Sequence, residues 1–572
     1  MAKKNGKAGL SRRDFIKQTA ASTGAVALVG LTAGETRAQG AVPAKWDIEA
    51  DVLVLGFGGA GACAGIEAHD AGAKVVILEK QPKETHYSNT RMAGGIFHSP
   101  DPSGDKAALK EYAKAMFSGE NIPGKLEGEQ PPEISDGLAE AWAQLSPENV
   151  PFLRKLDPEM KFVASGGAAF PQFPGAEAAK YRTYFTTYTG KADLSVPSKD
   201  LPKAQKMNGE AFFACLQHGV ETRGIQVLYS TPAKRLVTND KGEVIGVVAE
   251  QGGKEIACQA KRAVVITTGG YEYNKAMRLA FLEGPGVEGW AFYGTPENTG
   301  DGIAMAMKVG AGLVKVGKAA SRLITAVPIR MHGLKMGVIT DSVGRPNSIV
   351  VDNQGNRYLA ETLITDDPSR YFSYKEAVKF DIVKLAYPRL PSWMIFDETF
   401  RTKVTITTLG VSTAGYGLVP WTKDNMDAIN RGWILKADTI DELAGKIKAF
   451  PENLKAMDPA NLVKTVARFN ELSSKGKDED FNRRPATLGP IEKPPFYALP
   501  LYAGGPNTKG GVAANAKREV LDWEGQPIPR LYTAGEISSA LKFVYQAGGN
   551  LSECIVMGRI AGKNAAAVKP WA

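Results

Sequence analysis

Residues 51–61 read Asp51-Val52-Leu53-Val54-Leu55-Gly56-Phe57-Gly58-Gly59-Ala60-Gly61. The apolar, partly β-branched run from Val52 to Leu55 predicts a buried strand, and it stops at glycines spaced G-x-G-x-x-G. Small residues then continue through Ala71 as a helix pattern, and a second strand, Lys74 to Leu78, ends on Glu79. Each part answers one need of a bound dinucleotide. The glycines allow a tight turn and a close backbone approach to a pyrophosphate. The N-terminus of the helix, starting near Ala60, aims its positive end at the phosphates, and Glu79 is placed to accept from a ribose hydroxyl. The glycine pattern alone is weak, and a purely structural turn is the alternative. With strand, helix and acid in order, the reading is a Rossmann-type βαβ unit in an α/β fold.

Moving outward, residues from about Lys106 to Lys206 hold helical patterns and Pro/Gly-rich loops that interrupt this unit. From Gly209 a helix pattern leads to a strand at Ile225–Tyr229, a turn at Thr231-Pro232-Ala233, and two alternating strands around Asp240-Lys241-Gly242. A strand over Ala263–Ile266 then closes on Thr267-Thr268-Gly269-Gly270 and returns the chain to a parallel sheet. Asn298-Thr299-Gly300-Asp301-Gly302 opens another helix, where Asp301 serves either as a site residue or as a helix cap. A hairpin is predicted from Ile349–Val351 and Asn356–Leu359. The last small-residue helix follows Gly548-Gly549-Asn550 and runs to Ala567.

Length and charge bound the function. The chain has 572 residues, and its net charge of +9 comes from 70 basic and 61 acidic side chains spread along it, which is no nucleic-acid footprint. Cys63, Cys215, Cys258 and Cys554 form no CxxC or CxxCH pattern, so no iron–sulfur cluster, attached haem or other metal-ligand set is predicted. They read as small buried side chains, with disulfides as the alternative. Ser11-Arg12-Arg13-Asp14-Phe15-Ile16-Lys17, an Ala/Gly/Val/Leu stretch over residues 19–34 and Thr36-Arg37-Ala38 read as a twin-arginine signal peptide over residues 1–38. That reading expects a twin-arginine translocase as partner and a periplasmic location. No later segment reads as transmembrane.

Taken together, the fingerprint, the Ser88–Gly95 loop, Thr268-Gly269, the Leu531–Glu536 strand end and Gly548-Gly549-Asn550 resemble the flavoprotein superfamily of fumarate reductases, urocanate reductase, L-aspartate oxidase and 3-ketosteroid dehydrogenases. The resemblance spans nearly the whole chain after the signal. It implies a Rossmann-type FAD-binding domain split into residues 47–320 and 506–572, with an inserted α+β capping domain over 321–505 and the active site at their junction. It also implies FAD contacts from Gly56, Gly58, Gly59, Ala60, Gly61, Glu79 and Lys80 on the adenosine side. Asn89, Thr90, Gly94 and Gly95 would run beside the flavin, Ala233 near adenine, and Thr268, Gly269, Asp301 and Glu536 along the pyrophosphate and ribityl chain. Asn550, Leu551 and Ser552 begin the helix whose positive end would face the flavin. Asn89 stands where relatives with covalent FAD carry histidine, so the FAD is expected to be non-covalent.

The sequence departs from the fumarate type where that type grips a dicarboxylate. Thr365, Gln546 and Asn507 occupy positions that carry arginine, arginine and histidine there, which removes the cations needed to bury two carboxylates. Asn507-Thr508-Lys509-Gly510-Gly511 resembles the ketosteroid dehydrogenase motif instead, and the resemblance assigns Tyr545 and the Gly549 amide to a substrate carbonyl. The other tyrosine of that type falls at Thr365, leaving Tyr371 or Tyr374 as candidates. Asp341 aligns, with Thr340, to a substrate-side pair, and His332 is a weaker candidate with a cap or surface histidine as the alternative. The leading expectation is therefore hydrogen transfer across a C–C bond next to a carbonyl in a small-molecule substrate that is not a dicarboxylate. An external carrier such as a cytochrome c or a quinone would exchange the electrons. The alternatives are a carboxylate substrate held by a relocated anchor, from Arg345, Arg370 or Lys509, and an electron-transfer flavoprotein without bond chemistry.

Overall fold

The computed structural model describes residues 42–120, 132–166, 169–187, 208–365 and 370–571. The signal segment expected at residues 1–38 lies outside them, as does the stretch 188–207 of the central insertion.

Strand β1 (Ile48–Leu55) runs into helix α1 (Gly59–Asp70) and then strand β2 (Val75–Leu78), as the spacing predicts. Val52 to Leu55 and Val75 to Leu78 are buried on both faces, which explains their unbroken apolar character. An eight-stranded sheet grows around this pair. β1 pairs in parallel with β2 on one side and with Lys254–Ile266 on the other. Pro527–Thr533, from the far end of the chain, extends the sheet in parallel beside Lys254–Ile266, and Gln226–Leu228 extends it beyond β2. The register brings Leu55 level with Leu78 and Ile266, and Thr533 level with Ile266. Four strands thus end together, and the residues after them face one crevice, the usual ligand position in a parallel sheet.

Helix Gly549–Ala567 packs on α1 at a distance only glycine permits. A Cβ on Gly558 would lie 2.7 Å from the Ala60 carbonyl oxygen, and one on Gly562 would lie 2.1 Å from that of Ala64. The C-terminal helix is thereby fixed against the fingerprint helix. The central insertion adds helices Lys106–Ser118, Pro132–Leu145 and Asn149–Leu156, with a small sheet of Ile96–His98, Lys161–Gly166 and Tyr181–Thr187.

A seven-stranded sheet is built on two long antiparallel strands, Leu313–Met331 and Phe496–Val512. The positions 320/321 and 505/506, expected as domain boundaries, fall inside these strands, opposite one another. One expectation needs correction. Ser348–Val351 pairs with Ser392–Asp397, not with residues 356–359. The Asp352 side chain closes a turn on the N–H groups of Gln354 and Asn356, and Arg357 and Glu361 then sink into a buried ion network that pulls the segment off the sheet. No helix among the described residues is long and apolar enough to cross a membrane. All four cysteines are free thiols, three of them buried.

Candidate active site and cofactor cavity

The ends of the four parallel strands open into a cavity of about 570 Å³ that also reaches the seven-stranded sheet and the start of helix Gly549–Ala567. Gly56, Gly58, Gly59, Ala60, Glu79 and Lys80 line it, as do Asn89, Thr90, Gly94, Ala233, Thr268, Gly269, Asp301, Glu536, Asn550 and Leu551. These residues come from opposite ends of the chain and meet because the register levels the strand ends. Gly56 has φ +99, the left-handed side that only glycine adopts easily, and a Cβ there would meet the Thr267 carbonyl oxygen at 2.8 Å. The Gly59 N–H donates to the Thr90 hydroxyl at 2.9 Å, which ties the fingerprint to the next loop.

Glu79 accepts from the Phe57 and Gln81 N–H groups, both at 2.8 Å. Burial raises its carboxyl pKa, and the two N–H bonds only partly oppose that. Lys80 donates to Thr299 at 2.7 Å and to Asp301 at 2.9 Å, so the two predicted residues form one ion pair at the cavity wall. Asn89 bridges two other wall residues, donating to Glu536 at 2.9 Å and accepting from the Thr295 N–H at 2.6 Å.

Several predicted residues lie elsewhere. Gly61 does not line the cavity; its role is packing, since a Cβ would stand 2.0 Å from the Gly56 carbonyl oxygen. Gly95 likewise packs against the Asn208 backbone, where a Cβ would come within 2.3 Å. Ser552 is fully buried and holds strand Ile96–His98, accepting from the His98 N–H at 2.6 Å. The Gly549 amide donates to the Gln546 carbonyl at 2.8 Å inside the turn, and Gly549 does not line the cavity. His332 sits exposed at φ +51 on the two-residue turn joining Leu313–Met331 to Leu334–Val338, outside the cavity wall. Tyr374 is buried against Trp290, ring centres 5.4 Å apart, and does not reach the cavity.

The far wall is made by Tyr293, Arg322, Asp341, Arg345, Thr365, Arg370, Tyr371, Thr408, Asn507 and Tyr545. Arg322, which the sequence reading missed, is almost wholly buried and is ion-paired with Asp341. Its signal was visible: one arginine inside the apolar strand segment Ala319–Val327, where a buried charge needs a partner. Burial would raise the Asp341 carboxyl pKa, but Arg322 beside it and the Thr408 hydroxyl at 2.7 Å outweigh burial and hold it below the usual range. Tyr371 and Tyr545 meet edge to face at 4.7 Å. Burial, and then Tyr371, push the Tyr545 phenol pKa up, so it stays protonated at neutral pH. Lys509 does not itself line the cavity; it lies over the Tyr545 ring at 4.9 Å in a network with Ser539, Asn550 and Glu553, and Asn550 donates to Asn507 at 2.8 Å.

The profile of the FAD binding domain family matches residues 51–551. The chain belongs to this family. This flavoprotein is 27% identical over 521 residues to the NADH:fumarate oxidoreductase of Klebsiella pneumoniae, covering 90% of the chain but 47% of that relative, about half its length. It is 28% identical over 520 residues to a fumarate reductase (cytochrome) of Shewanella frigidimarina, covering 90% of the chain and 77% of the relative. Among solved structures, the 3-ketosteroid delta1-dehydrogenase of Sterolibacterium denitrificans shares the fold with a TM-score of 0.72 at 23% identity, covering 91% of this chain and 99% of that one.

The cavity fits the cofactor. Its glycines leave room for a pyrophosphate, and one of its polar atoms, Thr268 Oγ1, is buried without a partner among the described residues. The protein is an FAD-dependent oxidoreductase. Among the described residues no group of three or more His, Cys, Asp or Glu side chains is placed to hold a metal ion.

Proposed function

We propose that this flavoenzyme adds or removes a hydrogen pair across a carbon–carbon bond conjugated to a carboxylate. The observation that carries this reading is the pair of guanidiniums of Arg345 and Arg370 in the cavity wall, neither of which has an ion-pair partner among the described residues. Arg322 is the guanidinium ion-paired with Asp341, and Arg370 acts on that carboxylate without forming an ion pair with it. A carboxylate entering such a cavity exchanges hydration for charge-assisted bonds to the guanidinium forks. This favours the relocated-anchor alternative over a neutral carbonyl compound, because the Gly549 amide needed for the neutral reading is already bonded. Lys509 takes no part in the anchor, since it does not line the cavity.

Bound FAD supplies hydride exchange with the substrate. Arg345 and Arg370 orient the carboxylate, and the Tyr371–Tyr545 pair offers an aromatic wall for the rest of the molecule. Tyr545 is a protonated O–H donor facing the cavity, and Asp341 is an ionised acceptor. A second reading, a neutral enone or ketosteroid, keeps Tyr545 as the donor to a ketone. The cavity itself argues against an electron-transfer flavoprotein with a closed flavin face.

Purified holoenzyme assayed with reduced viologen or a dye acceptor against enoates, enones and 3-ketosteroids separates these. Turnover of an enoate is expected. In Arg370→Gln, KM should rise by about 100-fold with kcat changed far less, the signature of losing a buried anion's partner at roughly 2–4 kcal/mol. Turnover of enones alone, indifferent to Arg370→Gln, overturns the carboxylate reading.

The same reading places the enzyme outside the cytoplasm after twin-arginine export, with electrons passing to or from an external carrier such as a cytochrome c or a quinone. It also takes the FAD as dissociable, since the amide of Asn89 cannot make a histidyl bond. Acid precipitation of the holoenzyme should leave the yellow colour wholly in the supernatant. A pellet that keeps it would contradict a non-covalent cofactor.

A further inference from the structure

Beside Gly269 and Asn298 the cavity wall holds Glu536, and behind it the side chain of Glu272 makes contact with its carboxyl group. Glu272 is wholly buried; its Oε1 accepts from the Thr508 N–H and, at 3.0 Å, from the Thr508 hydroxyl, while its Oε2 has no donor. Glu536 accepts on Oε2 from Asn89 at 2.9 Å and from Asn298 at 3.2 Å, and its Oε1 has no donor either. The two side chains are within hydrogen-bonding reach of each other. Gly270 makes room for the contact: a Cβ there would lie 2.3 Å from Glu536 Oε1 and 2.7 Å from Glu272 Oε1.

Two buried carboxyl groups in contact cannot both be ionised, and a hydrogen bond between them requires a proton on one. The surrounding charges do not remove that need. The Lys509 ammonium is committed to Ser539, Asn550 and Glu553, whose carboxylate lies 3.7 Å from it. Arg278 attracts Glu272 electrostatically but donates to the backbone carbonyls of Glu272 and Trp290, not to either carboxyl group. The Tyr271 phenol donates to the Val316 carbonyl, and burial pushes the Cys554 thiol up to about 12, so both stay neutral.

We propose that Glu272 and Glu536 share one proton and form a proton-holding pair in the wall of the FAD cavity, with Glu536 facing the cofactor and Glu272 acting through it as a positioning residue. The proton keeps this wall at one negative charge where two would stand beside a cofactor that already carries an anionic pyrophosphate. Burial, and then Glu272, lift the Glu536 carboxyl well above the ordinary range, so the proton is present at neutral pH and leaves as pH climbs through the raised value. FAD affinity therefore falls on the alkaline side, by about tenfold per pH unit once the pair's apparent pKa is passed. The inference holds whichever substrate the enzyme uses.

Infrared spectra of the wild-type holoenzyme at neutral pH should contain the carbonyl band of a protonated carboxyl that shifts in deuterium oxide. That band should vanish in both Glu272→Gln and Glu536→Gln, whose FAD dissociation constants should also lose the alkaline rise. A wild type without such a band overturns the proposal, even if neither variant folds. A band that disappears in Glu536→Gln but survives in Glu272→Gln overturns the sharing.

Discussion

Gly58→Val is expected to yield a folded but colourless protein whose FAD dissociation constant has risen by at least about 100-fold, ~3 kcal/mol. Gly58 faces the cavity, and its backbone, at φ −95 and ψ −167, is extended and open to any residue. A Cβ there meets nothing of the protein closer than 3.8 Å, so the substitution leaves the fold intact and places a branched side chain where the cofactor's phosphates must approach. Gly61→Val is the contrasting case. Its side chain would collide with the Gly56 carbonyl, so both stability and FAD binding should fall. Flavin absorbance after reconstitution, with circular dichroism and thermal melting alongside, separates the two effects. A Gly58→Val protein that stays yellow with wild-type FAD content would show that the fingerprint does not carry the cofactor.

The difference between these two glycines shows what a sequence can and cannot reveal. The βαβ unit was legible because its signals are local: an apolar run, glycines at fixed spacing, an acid at the end of the next strand. The helix ends and the parallel return at Ala263–Ile266 followed from the same short-range patterns. The resemblance named much of the far wall, Asp341, Tyr371 and Tyr545 among it, but how its side chains pair was not legible, because those contacts are long-range. Arg322 reaches Asp341 only through the hairpin of two strands, and Arg345 and Arg370 arrive from loops whose approach no spacing encodes. Reading Thr365, Gln546 and Asn507 as departures led to Arg345, Arg370 or Lys509 as relocated anchors; Arg345 and Arg370 line the cavity, and Lys509 does not. His332, Gly549 and Ser552 lie outside the cavity wall for a different reason. Each is chemically able, but turn geometry or packing directs it away from the cavity.

Glu361→Gln should cost the protein about 3–5 kcal/mol, the typical penalty for leaving buried cations without their carboxylate. Glu361 is 0% exposed and takes both prongs of the Arg357 fork, at 2.9 and 2.8 Å, together with Arg483 at 3.2 Å. Arg357 reaches on to Asp478, and Arg483 donates to the carbonyls of Gly344, Arg345 and Ser348. The network therefore fastens the segment that carries Arg345 into the cavity wall. An amide at 361 keeps the shape but supplies no charge, leaving two buried guanidiniums to share Asp478. Burial would raise the Glu361 carboxyl pKa, yet Arg483 and Arg357 together hold it below the ordinary value. A depressed carboxyl stabilises the folded state above its unfolded pKa and loses that contribution as pH falls through the folded one. The gap between wild type and variant should thus be full at neutral pH and close in acid below the lowered value. Denaturant midpoints measured across that range test it, and a constant gap would mean that the loss is one of packing, with the charge contributing nothing.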